Sequence, residues 1–169
     1  MKRIALISTG GTVEKTYDEL SGLLTNQVSV LDVMLASLEL RGIELTRERL
    51  LNKDSLEMTP ADHTLIARVA GEHAKAYDGV VVTHGTDRLA ETGERLVEMW
   101  GTPAAPIVLT GAMRPYELRH TDALQNLTEA LLAAQLLAPG VYVVMHAQLL
   151  QFPGVIKDRA LGTFVKSGA

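Results

Sequence analysis

The stretch Gly79-Val80-Val81-Val82-Thr83-His84-Gly85-Thr86-Asp87 decides the fold class. Its first half is apolar throughout, without the alternation of a half-exposed strand, so both faces of the strand it predicts must be covered. VYVVM (141–145) reads the same way, and shorter β-branched runs at 3–8, 43–51 and 106–110 add further strands. Helical patterns lie between them. Val30, Leu31, Met34, Leu35 and Leu38 fall on one stripe of a helix predicted over 29–41. Thr59-Pro60-Ala61-Asp62 offers an N-cap, a proline at the first helical position and an early acid, so a helix should run to about Lys75. Residues 88–100 and 122–138 complete the set. Alternation of this kind implies an α/β domain, a largely parallel sheet with helices on both faces, spanning residues 1–169 as one unit. Beyond Pro139-Gly140 the short apolar pieces predict hairpins without a helix, and 13–26 lacks periodicity and reads as a mobile loop.

The second half of the opening stretch carries the chemistry. Three predicted parallel strands end alike: Ser8-Thr9-Gly10-Gly11-Thr12, Thr83-His84-Gly85-Thr86-Asp87, and Thr110-Gly111-Ala112-Met113-Arg114. In open α/β sheets the carboxyl ends of strands line the ligand crevice, and glycine lets backbone N–H groups approach a ligand closely. Ser8 reads as a structural residue inside its strand.

Composition narrows the chemistry. The chain is 47% hydrophobic with two Phe and one Trp, so its core must be aliphatic. A net charge of -4 argues against a nucleic acid partner. No apolar run approaches bilayer length, and the default compartment is the cytoplasm. Cysteine is absent, which removes disulfides and thiolate catalysis. The five histidines are scattered, without metal-ligand spacing, so neither a metal nor another cofactor is expected. His63 and His73 fall on a helix read as solvent-facing. A threonine hydroxyl is a weak nucleophile until a base takes its proton. With no histidine suitably placed, the remaining candidates are Tyr17, five positions past Thr12, and a lysine.

STGGT, DSLEMTPAD, VVVTHGTD and LTGAMRP, in this order and spacing, resemble the amino-terminal domain of bacterial-type L-asparaginases. The resemblance runs from residue 4 to about residue 165. It implies the fold of that domain, a three-layer arrangement with a mostly parallel, mixed sheet. It implies an L-asparagine amidohydrolase giving aspartate and ammonia through an acyl-threonine intermediate. The alternatives are a glutaminase or other small-amide hydrolase, and a non-catalytic amino-acid-binding domain. The resemblance maps the nucleophile to Thr12 and the assisting loop tyrosine to Tyr17. It maps α-carboxylate binding to Ser55, beside Asp54, and a threonine, aspartate and lysine triad to Thr86, Asp87 and Lys157, with Lys166 the alternative lysine. Gly11, Gly85 and the Ala112 backbone complete the substrate contacts, and the Gly11 or Thr12 amide with the Thr86 N–H would hold an oxyanion. Family members usually carry a second, carboxyl-terminal domain that this chain lacks, so a short single-domain form is expected. A homodimer or homotetramer is expected to supply the missing wall of the site.

Overall fold

A computed structural model describes residues 1–168. Its frame is a six-stranded sheet in the order β4-β1-β5-β6-β7-β8. The strands are β1 (Lys2–Gly10), β4 (Ile43–Lys53), β5 (Gly79–Thr83), β6 (Ile107–Thr110), β7 (Val141–Met145) and β8 (Gln148–Gln151). The first five are parallel, and β8 closes one edge antiparallel to β7. Two hairpins stand outside this sheet: β2 (Thr16–Asp18) with β3 (Leu23–Thr25), and β9 (Val155–Asp158) with β10 (Thr163–Lys166).

Four helices cover the sheet: α1 (Leu31–Ala36), α2 (Pro60–Ala74), α3 (Leu89–Trp100) and α4 (Ala123–Leu136). Side chains of a strand point alternately to opposite faces, and the two cores divide accordingly. Ile4, Leu6, Val81 and Val108 pack with Leu31, Met34, Leu127 and Ala130, so α1 and α4 share one face. Ala5, Ile7, Val80, Val82, Ile107 and Leu109 pack with Ile66, Ala70, Leu89 and Leu96, so α2 and α3 share the other. The continuous apolar runs in β5 and β7 are buried at every position, as sandwiching between helix layers requires.

The crossovers β5-α3-β6 and β6-α4-β7 step in the same direction across the sheet, yet their helices lie on opposite faces. They therefore have opposite hands, and one departs from the right-handed rule that such units nearly always obey. β1-α1-β4 and β4-α2-β5 share the hand of β5-α3-β6, so β6-α4-β7 is the reversed one. α3 lies directly beside α2 because their two crossovers step the same way over one face.

The predicted helix at 29–41 is shorter in the structure. Ser29 turns its hydroxyl to Glu14 in place of extending the helix, and Ser37 closes the other end by donating to the Met34 carbonyl at 2.6 Å. The α2 start is as predicted: Thr59 and Asp62 form a reciprocal capping box ahead of Pro60. Segment 13–26 contains a short turn, Thr12–Glu14, and the β2–β3 hairpin in place of an unstructured loop. The tail beyond residue 140 forms hairpins, as expected.

Candidate active site

The carboxyl ends of β1, β5 and β6 lie side by side. Ser8 pairs with Thr83, and Thr83 with Thr110. Gly10 and Gly11 then turn the chain with φ of 98° and 75°, a region where a side chain is strained. A Cβ on Gly11 would overlap the Gly85 backbone, so the turns carrying Thr12 and Thr86 are in direct contact. Gly11 N–H donates to the Lys53 carbonyl at 2.9 Å, and Asn26 Nδ2 holds the Gly11 carbonyl at 2.8 Å. A Cβ on Gly85 would fall 2.5 Å from Ser55 Oγ, and one on Gly111 would fall 3.0 Å from Thr86 Cγ2. Four chain segments thus converge, and glycine at each junction is what lets them approach.

Lys157, on β9, reaches into this junction from the small hairpin. Its Nζ donates to Thr86 Oγ1 at 2.9 Å and to Asp87 Oδ1 at 2.9 Å. Thr86 is only 4% exposed. Arg159 Nη2 lies 3.2 Å from the same Asp87 oxygen. The resulting cation, hydroxyl and carboxylate cluster brings together the residues assigned to the triad. Because Lys157 donates to Thr86 Oγ1, the threonine proton points away from it, toward Met113 Sδ at 3.7 Å. Lys166 is not the lysine of the cluster; its Nζ donates to the Gln151 and Pro153 carbonyls.

Ser55 is 1% exposed and accepts from Arg88 N–H at 3.3 Å, in the short turn Ser55–Glu57. Asp54 acts on that turn from outside: it accepts from Leu56 N–H at 3.0 Å and pairs with Lys15 at 2.6 Å. Burial alone would raise the Asp54 carboxyl, but the Lys15 ammonium and the Leu56 N–H outweigh it and hold it below the usual range. Ala112 is fully buried, in a segment held by Asp122, whose carboxylate accepts from Met113 N–H at 3.0 Å and Arg114 N–H at 2.9 Å. Tyr17 stands apart. It is 59% exposed on the β2–β3 hairpin, and among the described residues its side chain makes no hydrogen bond.

The reading of His63 as solvent-facing is corrected. It is 3% exposed, because α3 covers the side of α2 that periodicity left open. Its ring stacks on that of His84, centroids 5.9 Å apart. Sequence reasoning also passed over Arg159, Lys15 and Asn26. Arg159 carries a signal in retrospect, a second cation two positions beyond Lys157.

A cleft of about 320 Å³, lined in part by Lys15, Asn26, Asn52 and Asp54, opens beside the Thr12 turn. A larger one, about 460 Å³, is lined by Pro60, His63, Glu91 and Glu94 among others and includes none of the candidate residues. Convergent polar groups outweigh volume in locating the chemistry.

Residues 3–162 match the protein family described as "Asparaginase, N-terminal". An L-asparaginase of Thermococcus kodakarensis is 35% identical over 162 residues, which cover 95% of this chain and 49% of that protein. A glutamyl-tRNA(Gln) amidotransferase component from Haloquadratum walsbyi is 40% identical over 146 residues, 85% of this chain and 33% of that one. The solved structure of the thermostable T. kodakarensis L-asparaginase superposes with a TM-score of 0.87 at 33% identity, over 97% of this chain and 51% of that chain. That of L-asparaginase I from Vibrio cholerae gives 0.80 at 28% identity, over 98% of this chain and 51% of that one. The chain thus spans about half the length of the asparaginases it matches and a third of the amidotransferase component. The family match over nearly the whole chain, on a fold built to the same plan, establishes that it belongs to the asparaginase family and carries that family's amino-terminal domain.

Proposed function

We propose that the chain hydrolyses L-asparagine to L-aspartate and ammonia. One observation supports this above the others: Lys157 Nζ lies 2.9 Å from both Thr86 Oγ1 and Asp87 Oδ1, beside the turn that carries Thr12. Thr12 Oγ attacks the side-chain amide carbon and forms an acyl-threonine. Its proton passes to the departing nitrogen, which leaves as ammonia. Water then cleaves the ester and restores the hydroxyl. The Lys157, Thr86 and Asp87 cluster tunes proton transfer in both steps, a contribution of about 10²–10⁴-fold for groups of this kind. Asp87, with one oxygen held by Lys157 and Arg159, presents its other oxygen to the substrate's ammonium. Ser55 and neighbouring amides serve the α-carboxylate. Tyr17, on the exposed β2–β3 hairpin just past the Thr12 turn, assists the attack.

An ammonia assay on the purified chain tests this reading. Asparagine should release ammonia, and Thr12→Ala should release none. Equal or faster release from glutamine would replace asparagine with the second reading, a small-amide hydrolase of different selectivity, which the similarity to amidotransferase components favours. Aspartate binding by calorimetry without any turnover would reduce the chain to an amino-acid-binding module.

The proposed assembly is a homodimer or homotetramer, in which a neighbouring copy closes the site. Sedimentation should give a species of at least twice the 18.3 kDa chain mass. A fully active monomer would remove this part of the proposal.

The described residues include no helix long and apolar enough to cross a membrane. A soluble, cytoplasmic setting belongs to the same proposal.

A further inference from the structure

His63, Thr92 and His84 are all buried, and the proposed chemistry uses none of them. They form an unbroken chain. His84 Nδ1 lies 2.8 Å from the Gly85 carbonyl oxygen, His84 Nε2 lies 2.8 Å from Thr92 Oγ1, and Thr92 Oγ1 lies 2.7 Å from His63 Nδ1. The direction of each hydrogen follows from one end. A carbonyl only accepts, so His84 Nδ1 carries the proton. His84 is fully buried, and burial lowers its pKa to about 4, so near pH 7 it is neutral with a bare Nε2. Thr92 must donate to that nitrogen. Its oxygen is then left to accept from His63 Nδ1–H. The chain has a single polarity and terminates on the Gly85 carbonyl.

That terminus matters because of the peptide it belongs to. The Gly85–Thr86 bond is trans, and in a trans peptide C=O and N–H point to opposite sides. Turning the Gly85 carbonyl toward His84 aims the Thr86 N–H the other way. Among the described residues, Thr86 N–H makes no hydrogen bond, although its side chain is held at 2.9 Å by Lys157. It is a free donor in the active turn.

We propose that His84, itself fixed by Thr92 and His63, is a positioning residue that aims the Thr86 N–H at the oxygen of the reacting amide. The inference rests on the amidohydrolase reading above. It requires no proton to travel along the chain, since the carbonyl at its end has none to pass on.

Thr92→Val tests it, because valine matches the shape of threonine without the hydroxyl. His84 Nε2 then loses its donor and the ring its anchor at that end; the carbonyl still selects Nδ1–H, but the imidazole can turn and its grip on the Gly85 carbonyl loosens. Loss of a whole oxyanion donor typically slows turnover about 10²–10³-fold. A misaimed donor should therefore cost on the order of tenfold in kcat with KM nearly unchanged. Thr92→Ser keeps the hydroxyl and should recover most of the rate. Histidine 15N spectra provide a readout independent of activity. Wild type and Thr92→Ser should show His84 protonated on Nδ1 with a hydrogen-bonded Nε2, and Thr92→Val should move the Nε2 resonance to that of an unbonded nitrogen and shift the Thr86 amide. A wild-type His84 protonated on Nε2 overturns the proposal, as does a Thr92→Val enzyme with unchanged kcat. A Thr92→Ser enzyme as slow as Thr92→Val also overturns it, since loss of the hydroxyl would not be the cause. If the wild type releases no ammonia from either amide, the amidohydrolase reading fails and the spectra alone decide whether the chain orients this peptide.

Discussion

Thr86→Val is expected to suppress ammonia release by about 10²–10⁴-fold while the protein stays folded. The side chain is nearly isosteric, so the buried contacts of Thr86, including that with Gly111, are retained. What disappears is the oxygen that accepts from Lys157. Lys157 keeps its pairing with Asp87 at 2.9 Å, so the ammonium is not left buried without a partner. That separates the chemical loss from a stability loss, which a lysine substitution would mix. Steady-state ammonia release, read beside a thermal melt, checks both halves. Wild-type turnover in the variant would remove Thr86 from the mechanism, and a collapsed melt would show that its hydroxyl serves the fold.

The second large effect is on stability. Burial holds His84 at about 4 in the folded chain, against an ordinary value of 6.5. Between those values the unfolded chain binds a proton that the folded chain refuses. The contribution is therefore fully present above about pH 6.5 and is lost as pH falls toward 4. At 1.36 kcal/mol per unit the complete loss is about 3 kcal/mol, with about 2 kcal/mol already gone at pH 5. His63 acts in the same direction, its pKa lowered chiefly by burial. Glu14 opposes them, because burial raises its carboxyl and the folded chain binds that proton more readily. Asp54 and Asp122 lie below the usual carboxylate range, so their loss comes at more acidic pH. Urea midpoints at pH 7.5 and pH 5 measure the sum, and His84→Gln isolates the part due to His84. The variant should show a distinctly flatter dependence on pH. An identical slope in both proteins would mean that His84 titrates normally when folded.

The sheet was readable because its strands are buried on both faces. GVVVT and VYVVM admit few other interpretations, and both strands have the bounds expected of them. The three strand ends were readable for a related reason, since Thr and Gly recur wherever a parallel strand meets the crevice. Periodicity failed where lateral neighbours decide. It identifies the stripe of α2 that meets the sheet but says nothing about a second helix alongside. The crossover after α2's steps the same way over the same face, so α3 lies there, and His63 is enclosed. The β2–β3 hairpin was invisible because three-residue strands are too short to show alternation. Lys157 could not be placed by local pattern, since it meets Thr86 across 71 positions. Its assignment came from the family resemblance, and its ammonium lies 2.9 Å from both Thr86 Oγ1 and Asp87 Oδ1.

Lys157 sits on a pair of four-residue strands whose backbones pair with each other and with no strand of the main sheet. Val155 and Phe164 pin the inner face of this ribbon to the core, while the tip at 159–161 is exposed, so short strands of this size open from the tip first. Opening that reaches Lys157 would withdraw the ammonium from Asp87 before the helices and central strands unfold. Inactivation by mild heat or a single proteolytic nick near residues 159–162 would thus precede any loss of far-ultraviolet dichroism, and catalytic competence would be the more fragile property of the molecule.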